Sequence, residues 1–226
     1  MIKNDFIVFD FESTSKNPHS CQPTQIAAAI VNRKDLTVLD KFSSYIQPIF
    51  DEEKCKTLNL DPLSEEAIEK TKITRETLEA APTLKVVWPQ FTDFVNKYNY
   101  KKSKWDAPIP VGHNLSYDLT IADRICGHEP YKLGPYDEER KTNILFSSVF
   151  SFDTMLLWLY WSESLVAVNS VSMDACREYF GMSNEAAHNA VFDVDQTVDL
   201  FRRFMKLSRE VAKVTKFKGA CANGTK

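Results

Sequence analysis

The sequence lacks any apolar run near the ~18 to 20 residues that a membrane-spanning helix needs. Its strongest run, Met155 to Trp161, stops at seven. Met1 to Asp5 lead straight into strand-like sequence, without the apolar segment of a secretory signal. Cysteine pairing is absent too: five cysteines (21, 55, 126, 176, 221) are odd in number and scattered, with no CxxC or Cys/His ligand spacing. That argues against disulfides and structural zinc, and for reduced thiols in the cytoplasm. No period of ~20 to 50 residues repeats, and no segment is of low complexity. Apolar residues at 43% and charged residues at 26% exclude a disordered, collagen-like or coiled-coil chain. What remains is one ordinary domain of 226 residues. A chain of this size buries roughly 70% of its unfolded surface, so its core needs no covalent staple.

The net charge of −3 hides a polarity. Residues 201–226 hold eight Lys/Arg against Glu210, a local +7, which leaves −10 on the rest. A basic end on an acidic body suggests a polyanion contact in one place and a carboxylate cluster in another.

Short runs of strand character come first: Phe6–Phe9, Ile26–Val31, Lys41–Ile46 and Pro108–Gly112. Helical spacing follows over Ser64–Lys70, from about Thr83 to Val95, over Leu119–Ile125, Thr154–Trp161 and Val171–Phe180, and from Ala190 to Met205. Pro89 implies a kink or a late start in the second of these. Residues 127–147, with Gly127, Pro130, Gly134, Pro135 and a charged run at 137–141, read as an inserted loop. Strands first and helices later predict an α/β domain, a mixed sheet with helices on its faces.

Asp10 and Glu12 alternate with Phe9 and Phe11 at the end of the first strand, so both carboxylates share one face. His113-Asn114-Leu115-Ser116-Tyr117-Asp118 opens a helix, with Asp118 in its first turn, where the dipole favours an acid. In His188-Asn189-Ala190-Val191-Phe192-Asp193, Asn189 suits an N-cap, which leaves His188 just outside the helix. Asp193 and Asp195 both flank the Ala190/Val194/Val198/Phe201 stripe, and periodicity does not choose between them. Together these acids and one histidine make a hard-ligand set for two Mg²⁺ or Mn²⁺ ions. Such a pair serves phosphodiester hydrolysis, with a neutral histidine taking the proton of water.

Asp10-Phe11-Glu12-Ser13-Thr14, Gly112-His113-Asn114…Asp118 and His188…Asp193 resemble the DEDDh-type 3′→5′ exonucleases of the DnaQ-like, ribonuclease H-like superfamily. Lys72-Ile73-Thr74, Pro82 and Asp153-Thr154 resemble its connecting segments, from about Asp5 to Met205. The resemblance implies a five-stranded, ribonuclease H-like mixed sheet. It implies Asp10, Glu12, Asp118 and Asp193 as metal ligands and His188 as general base. Ser13 and Thr14 would hold the 3′ end, with His113 and Asn114 as supports, and Asp123, Asp153, Asp195 and Asp199 as caps or solvated acids. The implied reaction releases 5′-mononucleotides from 3′ ends of single-stranded nucleic acid, DNA favoured over RNA, either alone or proofreading for a polymerase. The rival readings are a 3′→5′ exoribonuclease and an inactive module that binds nucleic acid or a polymerase. The expected layout is an exonuclease domain over 1–205 and a basic tail over 206–226. Three departures stand out: Ser15 and Lys72 occupy positions where the family often has Gly, and the 127–147 loop is longer than the usual connection and would gate the cleft or hold a partner.

Overall fold

A computed structural model describes residues 4–100, 105–163, 170–183 and 189–214. Strands β1 (Phe6–Ser13), β2 (Pro23–Val31) and β3 (Val38–Tyr45) form an antiparallel meander. Helices α1 (Glu52–Thr57), α2 (Glu65–Thr71), α3 (Arg75–Glu79) and α4 (Leu84–Asn96) follow. The chain then returns as β4 (Ile109–Gly112), parallel to β1, and α5 (Leu115–Gly127). A hairpin of β5 (Tyr136–Asp137) and β6 (Thr142–Asn143) leads to β7 (Phe152–Asp153), α6 (Thr154–Ser162), α7 (Met173–Phe180) and α8 (Ala190–Val214). The main sheet runs β3-β2-β1-β4-β7, the mixed five-stranded sheet expected.

Burial explains the run lengths. β2 lies inside the sheet and is buried at every residue, which is why its apolar run is unbroken. β3 is an edge strand whose residues alternate between half-buried and exposed. β1 sorts its side chains by parity. Ile7, Phe9 and Phe11 pack with α4 and α5, and Phe6 and Val8 pack with Ala190, Val194, Val198 and Phe201 of α8. Asp10 and Glu12 continue the Phe6/Val8 face, so the stripe that α8 covers ends in carboxylates.

Several expectations change. α4 starts at Leu84, with Pro89 inside it on the exposed side, so Pro89 does not delay the helix. Residues 127–147 are not an open loop, because the β5–β6 hairpin is pinned to the body. Leu145 and Phe146 enter the core, Phe146 stacks on Phe9 at 4.6 Å, and Trp88 Nε1 donates to the Gly134 carbonyl at 2.7 Å. α8 crosses the expected boundary at 205 and runs on to Val214. Arg202 donates to the Leu36 carbonyl, and Arg209 to those of Arg33 and Lys34, so part of the basic end ties α8 to the β2–β3 turn. Among the described residues no helix is long and apolar enough to cross a membrane, and Cys21, Cys55, Cys126 and Cys176 are free and buried.

Candidate active site

One end of the sheet opens into a cleft of about 630 Å³ lined by Asp10, Glu12, Asp118 and Asp193, among others. Each acid arrives by a different route. Asp10 and Glu12 are the last outward residues of β1, beyond its final rung with β4, Val8↔Val111. Asp118 lies in the first turn of α5 and is nearly buried, and its Oδ1 accepts from the Phe11 N–H at 3.0 Å. Asp193 sits in the first turn of α8, whose start is fixed twice over. The Asn189 side chain accepts from the Val191 N–H, and Gln25 of β2 accepts from the Ala190 N–H, both at 3.1 Å. Gln25 pairs with Glu12 across the sheet, which brings the helix end to the acids.

Ligand atoms of Asp10, Glu12 and Asp193 all lie within 4.8 Å of one another. Asp118 stands beside them, close enough for its charge to act on Asp10. Crowding and burial appear in the proton affinities. Burial, then the charges of Asp118, Glu12 and Asp193, hold Asp10 well above the usual carboxylate range, with Lys70 opposing. Burial and Asp193 push Glu12 up to about 7. Burial pushes Asp118 up to about 8, against the hydrogen bond from Phe11. Such a site favours either protons or a cation. An all-oxygen set of this spacing suits a hard divalent ion.

Asp195, which periodicity left level with Asp193, points elsewhere and pairs with Lys41 on the exposed side. Asp153 caps two helices at once: its oxygens accept from Asn114 and Leu115 at 3.0 Å and from Met155 at 2.9 Å. Asp199 is half-exposed and pairs with Arg203. Ser13 lines the cleft; its hydroxyl lies 2.7 Å from that of Tyr117, and each reaches the Ser15 carbonyl at 2.8 Å. Thr14 does not line the cleft: it is fully buried, its hydroxyl accepting from the Gln22 N–H and donating to the Asp61 carbonyl, both at 3.0 Å. Expected as a substrate contact, its side chain is a brace for the turn. Asn114 borders the cleft with φ 65°, a left-handed conformation Asn tolerates. The His113 ring spans Thr154 Oγ1 and the Val171 carbonyl, both at 3.1 Å, and burial lowers its pKa. It therefore ties β4 to α6 and to the start of the next segment. His188 lies outside the described residues.

Sequence reasoning missed Lys16, Ser64, Lys70 and Tyr117 on the cleft walls, and Arg177 behind Asp193. Only Tyr117, next to Asp118, carried a local signal. The α2 residues reach the cleft through the tertiary fold. No described residue of 127–147 lines the cleft, so the hairpin is not its gate.

Comparison with known proteins follows the same lines. Residues 7–201 match the family model RNase_T, described as exonuclease. The chain is 26% identical over 206 residues to the DNA polymerase III PolC-type of Thermotoga petrophila, covering 91% of this chain but 12% of that protein. It thus spans about an eighth of the length of the curated relatives it matches. E. coli Exonuclease I in complex with a dT13 oligonucleotide is similar in structure (TM-score 0.66, 15% identity, 93% of this chain and 43% of that one). So is the nuclease domain of 3'hExo, a DEDDh family member bound to rAMP (TM-score 0.64, 16% identity, 90% of this chain and 92% of that one).

Proposed function

The chain belongs to the RNase_T exonuclease family, and from that premise we propose that it removes 5′-mononucleotides from the 3′ end of single-stranded DNA with two bound Mg²⁺ ions, Mn²⁺ substituting. The observation that carries this reading is the convergence of Asp10, Glu12 and Asp193 within 4.8 Å, with Asp118 alongside, at the floor of an open cleft. Those four carboxylates would hold the ions. When bound, the ions offset charge developing on the phosphate and make a water easier to deprotonate. The chain's own groups do the rest. Ser13, Tyr117, Lys16 and Lys70 line the same cleft, Lys16 paired with Glu66, and would flank a strand end that enters it. His188, at the position before the Asn189 cap, would take the proton of the attacking water. His113 and Asn114 hold the β4–α5 junction that carries Asp118.

DNA is supported over RNA, and a polymerase as partner, by the match to a PolC-type DNA polymerase III. A purely nucleic-acid-binding role would need none of the four acids. The test uses end-labelled single-stranded DNA and RNA of equal sequence, each with Mg²⁺ and with EDTA. We expect a ladder shortening from the 3′ end on DNA in Mg²⁺ and none in EDTA. RNA degraded faster than DNA would move the substrate to RNA. No ladder on either would replace the enzyme with a binding module.

A further inference from the structure

Arg177 is 1% exposed and lies on α7, a helix that packs against α6 and α8. Its guanidinium sits 5.4 Å over the ring of Phe192 and forks between two acids. Nη1 bonds Asp174 at 3.2 Å, and Nη2 bonds Asp193 Oδ1. The two pairings differ in kind. Asp174 is three residues away on the same helix and 64% exposed, a screened surface pair. Asp193 is 18% exposed and belongs to another helix, at the floor of the cleft. Burying a cation costs more than such a surface pair returns, so its placement is explained by the buried acid.

We propose that Arg177 is a positioning residue of Asp193: it holds the carboxylate in a single orientation at the cleft, and thereby raises the site's affinity for a divalent cation. The inference rests on Asp193 being an ion ligand. Nothing local in the sequence marks Arg177, which lies 16 residues from its partner. A carboxylate with one oxygen on a donor fork loses its freedom to rotate, and groups that orient ligands in this way set metal affinity. Lysine would not replace it, since one ammonium on a flexible stem lacks the planar guanidinium's fixed geometry and holds the Asp193 carboxylate less firmly.

The test measures Mn²⁺ affinity of the full chain by calorimetry or electron paramagnetic resonance, with thermal unfolding in EDTA alongside. Arg177→Met should lose roughly 10- to 100-fold in Mn²⁺ affinity, and Asp174→Asn should lose nothing. If Arg177→Met does not fold, Arg177→Lys serves and should also bind Mn²⁺ more weakly than the wild type. Adding Arg177→Met to Asp193→Asn should cost no further affinity, since the two act as one unit. In EDTA, Asp10→Asn should raise Tm by relieving repulsion, whereas Asp193→Asn should lower it, because it leaves the guanidinium buried beside a neutral group. A folded Arg177 variant with wild-type Mn²⁺ affinity, or one that weakens Asp193→Asn by the full factor again, overturns the proposal. Undiminished Mn²⁺ binding in both Asp10→Asn and Asp193→Asn would instead overturn the ion site itself.

Discussion

Lys72 ends α2 with φ 59°, a left-handed conformation, and its N–H closes the helix on the Ile68 carbonyl at 2.8 Å. The departure from glycine noticed in the sequence is thus a real backbone cost. A non-glycine residue there carries about 1–2 kcal/mol of strain, and glycine returns about 0.4–1 kcal/mol through a freer unfolded chain. Lys72→Gly should therefore stabilise the protein by about 0.5–1 kcal/mol, seen as a higher denaturant midpoint; a lower midpoint would refute the strain. Function at the residue scale turns on which acid of α8 serves. Asp195→Asn breaks only an exposed pair with Lys41 and should leave turnover near wild type. His188→Ala should keep metal-dependent DNA binding and lose roughly 10²- to 10⁴-fold in rate, the usual worth of a general base. Single-turnover kinetics beside a binding assay separates the two effects.

Among the elements, the β5–β6 hairpin and α8 show how placement overrides local composition. Charged sequence broken by two glycines and two prolines over 127–147 reads as a loop, yet its last residues return apolar side chains to the core. A Cβ on Gly127 would sit 2.4 Å from the Tyr136 ring, so the hairpin folds back directly on the end of α5. Phe146→Ala should cost about 3–5 kcal/mol, as truncation of a buried phenylalanine does. Its activity per folded molecule should hold, since the hairpin lines no part of the cleft. Unfolding and turnover measured on one preparation would check this; lost turnover in the folded fraction would make the hairpin part of the site. α8 carries Asp193 near its start, and Arg209 lies sixteen residues further on, about 24 Å at 1.5 Å per residue. Asp193 and the basic end thus sit at opposite ends of one rod.

For the whole molecule, the acid cluster sets a dependence on pH and on metal. In the metal-free protein the folded state holds protons on Glu12 and Asp118 up to about 7 and about 8. The unfolded chain releases them near ~4. The folded state therefore binds more protons across that window, and stability must fall as pH rises from ~4 to ~8. Tm in EDTA should be higher at about pH 6 than at about pH 8. Saturating Mn²⁺ should remove or reverse the difference, because a cation binds the ionised set and competes with protons. A metal-free Tm that climbs over this range would contradict the acid cluster.

The first strand-forming runs, the helical stripe of α8 and the three motifs that bear the acids were legible in the sequence, because each depends on periodicity or on neighbours a few residues apart. Asp10 and Glu12 share a face since side chains alternate along a strand, and Asn189 caps a helix since its side chain reaches the next turn. Other features needed the tertiary structure, because they join residues far apart in the chain. Only packing of α8 on the Phe6/Val8 face puts Asp193, not Asp195, at the acids. The two-residue β7 exists through its pairing with β4. Thr14 turns inward to Gln22 and Asp61, α2 swings Lys70 over the cleft, and Arg177 meets Asp193 across two helices. Such contacts depend on where elements dock, and docking is decided by the summed burial of many side chains, which no local pattern records.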